Sequence, residues 1–149
     1  MKLLRFAAAA VLLSVSSMAM ADLEPWKDYD ISKEVYQITA IKVAPNMTDA
    51  YLEGIRDSWM AANEIAKELG HIEDYAIYGS QLPQSGDFNL LLVIKFADTE
   101  DLAPSKERYK AFMEKWSDEQ EERSDELVKN YPAMRDITGS YLMREITMK

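Results

Sequence analysis

The chain has 149 residues, 17 basic and 26 acidic side chains for a net charge of −9, no cysteine and one histidine, His71. That length is one domain's worth of chain, and 48% hydrophobic residues are enough for a packed core. The acidic balance argues against nucleic-acid binding, whose affinity comes from Lys and Arg neutralising phosphates. Without cysteine there is no disulfide, thiolate metal site or Cys nucleophile; a single histidine excludes a multi-His metal centre.

Residues 1–21 read as a secretory signal. Lys2 and Arg5 make a positive start, residues 6–15 a short apolar stretch, and Ala19, Met20 and Ala21 a small-x-small cleavage pattern. The unbroken apolar run, residues 6–13, is too short to cross a bilayer of roughly 30 Å at about 1.5 Å per residue. Cleavage after Ala21 leaves a mature chain of 128 residues. Removing two cations takes its net charge from −9 to −11. The expected location is the periplasm or the medium, with no membrane association after cleavage.

Residues 22–34 have no period and are expected to form an N-terminal arm before a single domain at 35–149. Residues 35–43 (VYQITAIKV) alternate apolar and polar side chains and are rich in β-branched types, which predicts a strand. Thr48 is a good N-cap, and Leu52, Ile55, Trp59, Ala62, Ala66 and Leu69 recur at helical spacing, so a helix over 48–69 follows. Gly70 suits the left-handed residue that ends it. Residues 74–80 predict a second strand and 82–87 a loop. Residues 88–97 (FNLLLVIKFA) predict a third strand whose near-continuous apolar run implies burial on both faces. Asp98, Asp101 and Pro104 mark the start of a second helix with Tyr109, Phe112, Met113 and Trp116 on one face. It continues through the acidic stretch 117–126, expected to be a solvated helix face, and ends at Tyr131 and Pro132. Residues 137–147 predict a fourth strand.

The order β-α-β-β-α-β implies an α+β fold of the ferredoxin-like type, one antiparallel sheet with both helices on one face. In a monomer the other face would meet water, yet Leu91 and Val93 lie in the opposite phase to Phe88, Leu90, Leu92, Ile94 and Phe96. A second copy of the same sheet is the simplest cover, which predicts a two-fold homodimer closing into a barrel. This picture resembles the dimeric α+β barrel superfamily, which includes antibiotic-type monooxygenases, isomerases, polyketide cyclases, haem enzymes and stress-response proteins. The resemblance rests on element order and the two-faced third strand. The haem enzymes of that group use a His ligand; His71 falls at the turn after the first helix, outside the inferred barrel, so no cofactor and no metal are expected.

The barrel-facing phase is expected to carry Gln37, Thr39 and Ile41, Ala76 and Tyr78, Asn89, Leu91, Val93 and Lys95, and Ser140, Leu142 and Arg144. Its polar members Gln37, Thr39, Tyr78, Asn89, Lys95, Ser140 and Arg144 are the candidate ligand-binding residues. An apolar interior with a few converging polar groups suits a small apolar or aromatic molecule. Lys95 and Arg144 could hold a carboxylate or enolate oxygen, or sit near strand ends and pair there, since buried unpaired charges cost several kcal/mol. Trp59 and Trp116 fit as core anchors. No Walker, Rossmann, zincin or nucleophile-elbow motif is present. Three readings stay open: an exported binding protein without catalytic residues, a cofactor-independent monooxygenase or isomerase acting on an aromatic or polyketide-like molecule, and a non-enzymatic periplasmic assembly protein.

Overall fold

The structure is a computed structural model that describes residues 22–82 and 86–149. The expected export signal lies outside the described residues. Strand β1 (Tyr29–Ile31) and strand β2 (Val35–Val43) precede helix α1 (Thr48–Ile55), which passes through a π-helical turn at Arg56–Met60 into helix α2 (Ala61–Glu68). Strands β3 (Asp74–Gly79) and β4 (Leu90–Phe96) follow, then a 3-10 turn at Thr99–Leu102, helices α3 (Lys106–Lys115) and α4 (Asp118–Met134), and strands β5 (Arg135–Met143) and β6 (Ile146–Met148). The main sheet has the order β3-β4-β2-β5 with every neighbouring pair antiparallel. This is the ferredoxin-like α+β arrangement.

The alternation in 35–43 forms β2 over the predicted bounds. The predicted first helix is present but interrupted. Ser58 donates from Oγ to the Gly54 carbonyl at 2.9 Å and shares a 2.5 Å hydrogen bond with the Tyr131 hydroxyl. A serine hydroxyl turned back onto the helix carbonyl loosens the i→i−4 ladder, and the wider π turn follows. Gly54 is required at this crossing, because a Cβ there would lie 2.9 Å from Tyr131 Cε1. Gly70 takes φ +67° and ends α2.

The predicted second helix divides. Asp98 and Asp101 form a reciprocal capping box on the 3-10 turn. Ser105 caps α3, and Ser117 caps α4 by accepting from the Gln120 N–H at 3.2 Å. Pro132 does not end α4; it sits in the last turn, held there by buried Tyr131 and by the Ala44 N–H donating to the Met134 carbonyl at 2.8 Å. The predicted fourth strand begins two residues early as β5, stops at Met143, and resumes as β6. β6 leaves the main sheet and pairs with β1, so the arm is partly a strand rather than merely extended.

The larger core cluster joins Ile41, Val43, Leu90 and Leu92 of the sheet to Tyr51, Ile55 and Tyr131 of the helices. Tyr51 and Tyr131 meet edge-to-face at 5.2 Å. A second cluster of Val35, Ile72 and Phe96 closes the other end. Trp59 packs against the first cluster and edge-on to Tyr75 at 5.5 Å, while Trp116 is buried and stacked on Phe112 at 5.6 Å. Each fully buried side chain such as Ile41 or Ile55 contributes roughly 1.5–3 kcal/mol by leaving water.

Candidate functional site: the open face of the sheet

Residues directly opposite in an antiparallel pair share a face. Ile41 pairs with Leu90, Thr39 with Leu92 and Gln37 with Ile94, and Leu90 and Leu92 belong to the helix-side core. Gln37, Thr39 and Ile41 are therefore on the helix side, opposite to expectation. Ser140 and Leu142 follow them, since they pair with Thr39 and Gln37. The phases of the first and fourth strands are thus inverted relative to the sequence reading, whereas those of the second and third stand.

The open face is made of Tyr36, Ile38 and Ala40 of β2, Ala76 and Tyr78 of β3, Leu91, Val93 and Lys95 of β4, and Gly139, Tyr141 and Met143 of β5. Tyr78, Tyr141 and Met143 are each more than half exposed. Gly139 leaves room for Tyr141, whose hydroxyl would lie 2.5 Å from a Cβ there. The ring thus lies along the sheet over the glycine. Val93 is only 9% exposed and Leu91 is half-buried, so the apolar load of the face falls on the tyrosines and Met143 more than on β4. Val93 forms the floor of a shallow depression of about 70 Å³ bordered by Tyr36, Tyr78, Ala76, Lys95, Asp74 and Tyr75.

Lys95 is on this face but is engaged. Its ammonium lies 2.6 Å from Glu34 and 3.0 Å from Glu73, and 6.0 Å from the centre of the Tyr36 ring. The hydrogen bond it donates to Glu34, then that to Glu73, holds its pKa well above the ordinary lysine value. Arg144 does not reach the face: it donates to the Ser32 and Lys33 carbonyls at 2.8 and 2.6 Å and to Thr99 Oγ1 at 3.1 Å. Asn89 is a structural bridge as well. Its amide accepts from the Val43 N–H at 2.8 Å and donates to the Val43 carbonyl at 2.9 Å, extending the β2–β4 ladder past its last regular pair. Of the seven candidates, the structure brings Tyr78 and Lys95 together on the open face. Tyr36, Tyr141 and Met143 join them through the inversion of the first and fourth strands.

A second concavity of about 240 Å³ lies between the π turn and the start of α4, lined by Arg56, Asp57, Ala61, Ser117, Glu119, Gln120 and Arg123. Two of its cations share one anion: Arg56 and Arg123 both donate to the Asp57 carboxylate, and Arg56 first of all depresses its pKa. His71 follows α2 with its carbonyl accepting from Arg108; burial lowers its imidazole pKa. Among the described residues no three His, Asp or Glu side chains converge to hold a metal ion, and no helix is long and apolar enough to cross a membrane.

No family model matches the chain, and no curated protein matches it. The chain is similar in structure to a NIPSNAP family protein of unknown function from Agrobacterium tumefaciens strain C58, with a TM-score of 0.51 and 17% identity over 82% of this chain and 96% of that one. Weaker likenesses are to HapK from Hahella chejuensis (TM-score 0.45, 15% identity, 74% of this chain and 91% of that one) and to a dimeric protein of unknown function with a ferredoxin-like fold from Bacteroides fragilis (TM-score 0.41, 10% identity, 80% and 100%). At 17% identity the likeness to the Agrobacterium protein is one of fold alone, and it agrees with the strand order: the chain is an α+β protein of the ferredoxin-like type.

Proposed function

We propose that the chain is an exported subunit that self-associates through its open sheet face and binds a small, uncharged, partly aromatic molecule between the paired sheets, without catalysing its conversion. The observation that carries this reading is the exposed aromatic and thioether surface of that face, which lies over Ala40 and Val93, themselves buried within the single chain. The face presents Tyr36, Tyr78, Tyr141 and Met143 with one cation, Lys95, already neutralised by Glu34 and Glu73. Copies of a chain with net charge −9 repel one another, and −11 after loss of the signal repels more strongly. They meet most readily where charge is sparse, and the side chains of this face are apolar or tyrosyl apart from Lys95, which is paired with Glu34 and Glu73. Tyrosine rings and hydroxyls suit a ligand with an aromatic body and one hydrogen-bonding group. The saturated Lys95 offers no free cation to a carboxylate.

The catalytic alternative, oxygenation or isomerisation, requires a group to hold a developing oxyanion or to move a proton. Lys95 and Arg144, expected in that role, are committed to other partners. The assembly-only alternative draws support from the small size of the depression, about 70 Å³ against roughly 300–1,000 Å³ for ordinary ligand sites. Sedimentation velocity at micromolar concentration tests the assembly: a dimer is expected for the parent and a monomer for Leu91→Lys. A monomeric parent refutes the proposal. Thermal shift with indole, indole-3-acetate and tryptamine then tests the ligand class. Stabilisation by indole that is lost in Tyr78→Ala supports binding, whereas a dimer indifferent to all three leaves assembly as the function. Mass measurement of the protein from a periplasmic fraction tests export; the expected mature chain starts at Asp22.

A further inference from the structure

Strands β1 and β6 form a two-stranded ribbon apart from the main sheet. Their register pairs Tyr29 with Met148, Asp30 with Thr147 and Ile31 with Ile146, so one face is wholly apolar and the other carries Asp30 and Thr147. The polar face closes on itself, with Lys149 Nζ 2.8 Å from the Asp30 carboxylate and donating to the Trp26 carbonyl at 2.7 Å. The β6 half of the apolar face stays bare, with Ile146 58% and Met148 61% exposed, while Tyr29 and Ile31 opposite are half-buried. A ribbon this short is marginal in water unless its apolar face is packed. Its root is nevertheless pinned, because Arg144 grips the Ser32 and Lys33 carbonyls and the Ser32 N–H donates to the Glu145 carbonyl at 2.9 Å.

We infer that the apolar face of the β1–β6 ribbon is a second contact surface of the homodimer, clasping the other copy beyond the sheet face. The inference rests on the self-association proposed above. Two observations select a second copy as the occupant. The exposed Tyr141 and Met143 of the open face are separated from the ribbon by only Arg144 and Glu145, so the two apolar surfaces lie two residues apart along the chain. The ribbon face also carries no charged side chain, whereas a basic protein would be drawn to the acidic surface elsewhere and an anionic membrane would repel the chain. In a two-fold assembly each such contact occurs twice.

The test is sedimentation equilibrium of the parent, the Ile146→Ser/Met148→Ser variant and Leu91→Lys, with far-UV circular dichroism to confirm folding. Loss of two apolar contacts per subunit is expected to raise the dimer Kd at least about tenfold. In the parent, the amides of residues 29–31 and 146–148 should gain hydrogen-exchange protection as concentration crosses that Kd. If the double variant fails to fold, Met148→Ser alone and the exchange measurement decide. A ribbon variant with unchanged Kd, or ribbon amides whose protection ignores concentration, overturns the clasp while a monomeric Leu91→Lys leaves the sheet interface standing. A monomeric parent removes both. Flotation of the parent with phosphatidylcholine vesicles, abolished in the double variant, would make a lipid surface the occupant and also overturn the inference.

Discussion

Replacing Gly54 by alanine sets two opposed effects against each other. In an ordinary helix interior alanine is favoured over glycine by about 1 kcal/mol. Here the new Cβ would lie 2.9 Å from Tyr131 Cε1 and 3.2 Å from its hydroxyl. The ring has no room to retreat. Tyr131 is 6% exposed, meets Tyr51 edge-on and shares its hydroxyl with Ser58. Overpacking a filled core costs typically 1–3 kcal/mol, and a rigid, hydrogen-bonded ring belongs in the upper half of that range. The net expectation is a loss of about 1–2 kcal/mol once the helix gain is subtracted. For a domain of this size that lowers Tm by roughly 3–8 °C. Urea and thermal unfolding followed at 222 nm give the measurement. A double-mutant cycle isolates the cause: with Tyr131→Leu in place, Gly54→Ala should become neutral or stabilising. A single Gly54→Ala variant more stable than the parent would refute the claim that Tyr131 leaves no room for a Cβ at Gly54.

Asn89→Ala leaves the Val43 N–H and carbonyl without their partner and should cost about 1–3 kcal/mol; in urea unfolding it should behave as a folding variant, with unchanged ligand response where the protein stays folded. Ser117→Ala removes the α4 cap and should cost about 1 kcal/mol, read from the urea midpoint. The raised pKa of Lys95 means that its contribution to stability is complete below the ordinary lysine value and is lost as pH rises through the higher folded-state value. The stability difference between the parent and Lys95→Met should accordingly stay constant from neutral to mildly alkaline pH and narrow only under strongly alkaline conditions. A difference that changes around neutrality would assign the effect to another group.

The element order was legible because each segment carries its own period: alternation in 35–43, helical spacing from Leu52 to Leu69, and Gly70 as a stop. The face of a strand is harder to read than its existence. In β2 both phases are mixed, and the middle residues Gln37 and Thr39 look polar enough to be outward. The ends settle it, since Val35, Ile41 and Val43 share one phase and all are nearly fully buried. Ile38, Tyr36 and Ala40 then fall on the other side. The fourth strand inherits this inversion through its pairing with β2. No local pattern could show that Lys95 is already taken, because Glu34 and Glu73 come from segments distant in sequence. The same holds for Arg144, whose partners Ser32 and Lys33 lie more than a hundred residues away. The π turn was hidden for a similar reason: it depends on Tyr131 of α4 reaching Ser58.

The pairing of Tyr29–Ile31 with Ile146–Met148 makes the first strand a hostage of the last. An exopeptidase that trims the four residues after Glu145 removes every ladder partner of Tyr29, Asp30 and Ile31, together with the Lys149 ties to Trp26, Asp28 and Asp30. Damage after Glu145 would therefore surface as fraying of residues 29–31, and an antibody or protease probing only residues 22–31 would report on the integrity of the tail.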